Sequence, residues 1–201
     1  MGSEIDEKYL NHILSLSISK DAIARQKDLK IVYTPLHGTG VTLVPTLLAK
    51  MGFKAVTVIE EQAEPNGNGQ FPTVVYPNPE ESEAMSKAVE KAKEIDADLV
   101  LGTDPDADRV GIAVKNHHGE IQLLNGNQTA SVLIYYLLNA WKEAGKLDGK
   151  QFVCKTIVTT DLIDKMAAAY GVHCYNTLTG FKYIAQVIRE KEGVEQFIGG
   201  G

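Results

Sequence analysis

Apolar residues recur along this chain at two spacings. Ile5, Leu10, Ile13 and Leu14 fall at helical intervals and predict a helix over 5–17. Asp6 and Glu7 lie in its first turn, where negative charge suits the helix dipole. A compact apolar run at 29–33 predicts a strand. The next helix spans 41–51, with Pro45 placed in its first turn and Gly52 ending it. A second strand follows at 55–60, then a long loop over 61–79 whose prolines restrict the backbone. A helix over 81–94 gathers Ala84, Met85, Ala88, Val89 and Ala92 on one face, and its charges form a solvated outer face. Strands are predicted at 99–101 and 110–115, then a turn at His117-His118-Gly119-Glu120 and a strand at 121–124.

The second half repeats the layout without repeating the sequence. Asn125-Gly126-Asn127 opens a helix to about 144, with Asn127 as its cap. Val132, Leu133, Tyr136, Leu137, Ala140 and Trp141 make its expected core stripe. A strand at 152–158, a helix at 162–170 capped by Thr160-Asp161, a strand at 172–175 and a helix at 181–191 follow. Ile198-Gly199-Gly200-Gly201 reads as the middle of a loop. Alternating strands and helices predict an α/β fold: two consecutive α/β domains with mixed, mostly parallel sheets covered by helices. The expected boundary gives domains at 1–119 and 120–201.

Between the strands at 99–101 and 110–115 stands Asp104-Pro105-Asp106-Ala107-Asp108-Arg109. Three carboxylates at alternate positions repel one another, and one arginine offsets them only in part. A bound cation would offset the rest. Aspartate oxygens are hard ligands that suit Mg²⁺, Mn²⁺ or Ca²⁺. An EF-hand loop is excluded, because Arg109 stands where that loop needs glycine, Lys115 where it needs glutamate, and strands flank it. A metal beside an arginine points to phosphate chemistry, since charge develops on transferring phosphoryl oxygens.

Thr34 to Gly40 is a glycine-bearing loop between a strand and a helix. Leu43 stands where a dinucleotide fingerprint needs its third glycine, so that reading is set aside. The loop amides and helix start are expected to face an anion or a neighbouring domain. His37 is expected to pack locally and hydrogen-bond the loop. Ligands of parallel sheets gather at the carboxyl ends of strands, so the glycine loop and the acidic loop should share one rim. The adjacent His117 and His118 are expected to point different ways.

Composition narrows the classes. Hydrophobic residues are 44% and charged residues 23% of 201, as in globular proteins. A net charge of −6 argues against a nucleic-acid partner, which wants a basic face. No apolar run is long enough for a membrane span, and the polar, acidic first fifteen residues are not a secretory signal. Cys154 and Cys174 show no metal-ligand spacing. A cytoplasmic location is expected.

The acidic loop resembles the metal-binding loop of the phosphohexomutases, the phosphoglucomutase and phosphomannomutase family, whose pattern is Asp-Gly-Asp-Gly-Asp-Arg. Pro105 and Ala107 stand where glycines often do. Tyr33-Thr34-Pro35-Leu36-His37-Gly38-Thr39-Gly40, Phe71-Pro72-Thr73, Pro77-Asn78-Pro79-Glu80 and Thr179-Gly180-Phe181-Lys182 fit the same family in order. In such enzymes four domains surround one cleft: the first carries a phosphorylated serine, the second the metal loop, the third sugar-recognising loops, the fourth a phosphate seat. This chain resembles the second and third. The serine segment and the phosphate-binding loop are absent from it.

The resemblance implies that Asp104, Asp106 and Asp108 ligate Mg²⁺ and that Arg109 contacts phosphate or sugar near the metal. Thr179 and Gly180 would touch sugar hydroxyls, with Lys182 a weaker polar contact; without the resemblance Thr179 reads as a helix cap and Lys182 as a solvated charge. The implied partners are hexose phosphate, hexose bisphosphate and the missing first and fourth domains. The implied reaction is interconversion of hexose 1-phosphate and hexose 6-phosphate through a Mg²⁺-dependent phosphoserine enzyme, with this chain inactive alone. Two other readings stand beside it: a metal or sugar-phosphate binding module without catalysis, and a phosphatase with Asp104 as nucleophile.

Overall fold

The computed structural model describes residues 2–64 and 70–201, so residues 65–69 of the expected long loop lie outside the described residues. The chain forms two compact units, residues 1–125 and 126–201.

In the first unit, α1 (Ser3–Leu16), α2 (Lys20–Arg25), β1 (Lys30–Thr34), α3 (Gly40–Met51) and β2 (Ala55–Val58) are followed by a 3₁₀ turn (Glu60–Gln62). Then come α4 (Ser82–Glu94), β3 (Leu99–Thr103), β4 (Val110–Lys115) and β5 (Ile121–Leu124). The sheet runs β2-β1-β3-β4-β5. β1, β2 and β3 are parallel; β4 and β5 are antiparallel. Because β5 is hydrogen-bonded to β4 (Ile112 opposite Leu124), it belongs to the first compact unit, and the division falls after Asn125.

The predicted apolar face of α4 is the one that packs. Met85, Ala88 and Ala92 are buried with Val32, Val100 and Ala113 in one core. Small alanines let α4 lie close to the sheet, and Gly102 leaves the room that the Met85 sulfur fills.

The second unit holds α5 (Gly126–Glu143), β6 (Gln151–Thr156), α6 (Leu162–Ala169), β7 (His173–Thr177), α7 (Phe181–Lys191) and β8 (Gln196–Gly200). Its sheet is β7-β6-β8, all parallel, with the central β6 buried throughout. Ile134 and Leu138 pack there against Val153, Ile163 and Ala167. No described helix is long and apolar enough to cross a membrane.

Several expectations are corrected. Pro45 lies inside α3, past its first turn. The strand expected to reach residue 60 ends at Val58, and the 3₁₀ turn swings Gln62 inward to accept the Thr34 hydroxyl at 2.6 Å. Asn127 does not cap α5: the helix includes it, and its Oδ1 accepts the Thr160 amide at 2.8 Å. The stripe expected on α5 holds for Leu137 and Ala140 but not for Val132, Leu133 and Tyr136, which are exposed, while Ile134 and Leu138 are buried in their place. The glycine-rich end is a strand, because Gly200 has no Cβ to strike the Cys154 backbone and so can pair closely with β6. The rings of His117 and His118 lie together, with centroids 3.8 Å apart.

Candidate metal centre

The acidic loop is a hairpin connection. Thr103 pairs with Val110, so residues 104–109 are closed off by the last rung of the β3–β4 ladder. The Ala107 amide donates to the Asp104 carbonyl at 3.0 Å, and Ala107 takes φ 59°. This left-handed step is where the family pattern carries glycine; a Cβ there costs about 1–2 kcal/mol. It turns the chain sharply enough for Asp106 and Asp108 to come back beside Asp104.

Asp104, Asp106 and Asp108 each offer a carboxylate oxygen, and the three atoms lie within 4.8 Å of one another. In an octahedral Mg²⁺ site, oxygens stand about 3 Å apart when adjacent and about 4.2 Å when opposite. Asp106 and Asp108 are exposed, so small side-chain rotations close the set on one ion. Three carboxylates and one guanidinium leave a charge of −2, which a divalent cation cancels. The residues fit the ion.

Asp104 is the fixed member. It is fully buried. Its Oδ1 accepts the Asp108 amide at 3.1 Å and the Arg109 amide at 3.0 Å. Its Oδ2 accepts Arg109 Nε at 2.7 Å. Burial works to raise its pKa, but hydrogen bonds from Arg109 and Asp108 and the Arg109 charge outweigh that, so the carboxyl sits below its ordinary value. Asp108 moves the opposite way. Its hydrogen bond with Asp104, burial, and the charges of Asp104 and Asp106 raise its pKa, against the pull of Arg109. Like charges are crowded here, and Arg109 is the cation that the described ion pairs place among them. Arg109 stays cationic, held above its ordinary pKa by Asp104 and by Tyr76. A buried Asp104 with three donors on its oxygens is poorly placed as a nucleophile, which sets the phosphatase reading aside.

The glycine loop meets this hairpin on the same rim, as the sheet topology predicted. The Thr39 amide donates to the Pro105 carbonyl at 2.9 Å. A Cβ on Gly38 would overlap the Pro105 backbone, and one on Gly40 would overlap the Tyr33 and Thr103 hydroxyls. Those hydroxyls bond each other at 2.8 Å. The expected anion-facing role of the loop amides is therefore corrected for Gly38 and Thr39, whose N–H groups go to Pro35 and Pro105.

His37 lies buried as expected, its Nε2 2.8 Å from the Thr73 hydroxyl, and Thr73 also accepts Gln62 Nε2 at 2.9 Å. Leu36 and His37 both take positive φ, 45° and 61°. Gln62 steadies that strained pair by accepting the His37 amide on its carbonyl at 2.8 Å.

In the second unit, Thr179 and Gly180 follow the carboxyl end of β7. Gly180 is the N-cap of α7 with φ 128°, a conformation that favours glycine. Gly180, not Thr179, takes the N-cap position, and Thr179 is exposed. Lys182 Nζ lies over the Tyr183 ring, 4.8 Å from its centroid. The sequence reading missed Lys155. This lysine is next to last in β6 and is 2% exposed, with Nζ 3.0 Å from the Thr159 carbonyl and 3.1 Å from Asp164. It lines a cavity of about 350 Å³ with Asp161, Asp164 and Asn176. A lone lysine closing the run Phe152-Val153-Cys154 was the signal.

Residues 7–119 match the family model for phosphoglucomutase/phosphomannomutase α/β/α domain II, and residues 125–201 match the model for domain III. A phosphoglucomutase of Staphylococcus epidermidis is 37% identical over 198 residues, which is 98% of this chain and 34% of that protein. One from Staphylococcus aureus is 36% identical over 194 residues, 96% of this chain and 33% of that protein. The chain thus spans about a third of the length of the curated relatives it matches. Among solved structures, a putative phosphomannomutase of Thermus thermophilus superposes with TM-score 0.69 at 20% identity, over 98% of this chain and 40% of that one. An N-acetylphosphoglucosamine mutase of Aspergillus fumigatus, solved with GlcNAc-6P and magnesium, gives TM-score 0.54 at 14% identity, over 87% of this chain and 36% of that one. With both halves matched in order, the chain belongs to the phosphoglucomutase/phosphomannomutase family.

Proposed function

We propose that this chain is the metal-holding and sugar-reading centre of a hexose-phosphate mutase, working with segments that correspond to the rest of its relatives' length. The reaction is the interconversion of hexose 1-phosphate and hexose 6-phosphate through a phosphoserine. The observation that carries the reading is the convergence of Asp104, Asp106 and Asp108 beside Arg109 on one hairpin.

Asp104, Asp106 and Asp108 would hold Mg²⁺. When bound, the ion neutralises charge on phosphoryl oxygens as they transfer. Arg109 holds Asp104 through Nε and meets Tyr76, and its half-exposed side chain has further N–H groups to donate to a phosphate or a sugar oxygen. Thr179 offers a hydroxyl at the mouth of α7, and Gly180 lets a ligand approach the backbone there. Lys155 places a buried cation at the carboxyl end of β6, suited to a sugar-phosphate oxygen, with Asp164 fixing its position.

Titration calorimetry with Mg²⁺ on the wild type and on Asp106→Ala tests the reading. Asp106 is exposed, so the variant should fold normally and lose the binding heat. Equal heats would remove the metal assignment. The chain alone should show no mutase turnover, even with a hexose bisphosphate activator. Turnover in a pure sample would mean that it carries its own phosphoryl donor, and would overturn that part.

A further inference from the structure

Thr39 stands at the N-cap of α3, where a threonine hydroxyl ordinarily accepts a helix amide. Here it makes no such bond. The hydroxyl instead donates to the Pro105 carbonyl at 3.2 Å, the same oxygen that receives the Thr39 amide at 2.9 Å. Pro105 lies between Asp104 and Asp106. A residue that could cap its own helix is thus turned onto the backbone of the acidic hairpin.

The neighbours leave it no other course. Gly38 is pressed against the Pro105 backbone and Gly40 against the Tyr33–Thr103 hydroxyl pair, so the Thr39 backbone is fixed against the hairpin. Residues 31–38 are all buried, and Thr39 is the exposed residue that follows them. Its side chain reaches the carbonyl of the Pro105–Asp106 peptide. The hairpin needs such support, because Ala107 is in a left-handed conformation and the three carboxylates repel one another.

We propose that Thr39 is a positioning residue that holds the Asp104–Arg109 hairpin in its cation-ready shape through the Pro105 carbonyl. The proposal rests on the metal reading of the acidic hairpin. Thr39 touches neither ion nor substrate; it acts through the position of Asp104 and Asp106.

The test uses the 201-residue chain with Thr39→Val and Thr39→Ser. Valine keeps the shape and the N–H and removes only the hydroxyl; because no helix cap is lost, α3 should be undisturbed. Amide hydrogen exchange at Asp108 and Arg109, whose N–H groups bond Asp104, is read without any cation. It should quicken about fivefold in Thr39→Val and return to the wild-type rate in Thr39→Ser. Mg²⁺ affinity by calorimetry should fall by a similar factor in the valine variant only, with the melting temperature nearly unchanged. Unchanged exchange in Thr39→Val, or a serine variant no better than the valine one, would overturn the proposal. A wild-type chain that binds no Mg²⁺ would sink the metal reading, while the exchange comparison would still decide whether Thr39 holds the hairpin.

Discussion

Arg109 grips the carboxylate of Asp104 from two sides: its backbone N–H meets Oδ1 at 3.0 Å and its side-chain Nε meets Oδ2 at 2.7 Å. One residue thereby fixes both the direction of the acid and the place of the guanidinium. Asp104→Asn keeps the shape but gives the Arg109 donors an amide nitrogen or a neutral oxygen. The variant is expected to be about 2 kcal/mol less stable in urea unfolding. The depressed Asp104 pKa adds a pH signature. The wild-type advantage is complete above the ordinary aspartate value of 3.8 and is lost as pH falls through the lower folded value.

Asp108 carries the opposite burden. Its pKa is raised in the folded chain by Asp104, so its charge opposes folding. Asp108→Asn is expected to raise the melting temperature without cation at neutral pH and to lose Mg²⁺ binding. The gain should begin to shrink as the pH falls through the raised folded pKa and be gone below the ordinary aspartate value of 3.8, where Asp108 is protonated in both states. Added Mg²⁺ should raise the melting temperature of the wild type and not of the variant, since only a bound ion shifts the equilibrium. A variant less stable than wild type at pH 7 would contradict the crowding.

Ala107 tests backbone strain in the same hairpin. Its φ of 59° suits glycine. Ala107→Gly removes the Cβ penalty but adds freedom to the unfolded chain. The net expectation is a stabilisation of about 0.5–1 kcal/mol, or roughly 2–3 °C in melting temperature. Mg²⁺ affinity should be kept, because the turn already has the glycine conformation.

Far from the hairpin, Glu195 ties down the connection between α7 and β8. Its Oε1 accepts the Tyr175 hydroxyl at 2.7 Å and lies 3.1 Å from Lys191 Nζ, and its Oε2 is 2.7 Å from His173 Nδ1. Tyr175 foremost, then His173 and Lys191, hold the carboxyl at about 2 against the burial that opposes them. Glu195→Gln should cost roughly 2 kcal/mol at pH 7. That difference is full above the ordinary glutamate value of 4.5 and shrinks as pH falls toward about 2. Urea unfolding at pH 7 and pH 3 checks it; an equal difference at both would show that the carboxylate charge is not the cause.

What the sequence determined was the part governed by local pattern. The period of Ala84, Met85, Ala88 and Ala92 chose the face of α4, because the opposite face is polar and charged and only one face can be buried. The alternating acids between two apolar runs marked the hairpin, and strand order placed the glycine loop on its rim. Tertiary structure decided what local pattern leaves degenerate. α5 is apolar nearly all round, so periodicity could not choose between Leu133 and Ile134; packing against β8 and α6 did. The glycines of β8 carry no side-chain signal, and that segment is a strand only because β6 offers an edge that a bare backbone can approach. The diverted hydroxyl of Thr39 and the burial of Lys155 each depend on residues distant in sequence or turned back by a loop. No spacing along the chain encodes such contacts, since they exist only once the strands have set those loops side by side.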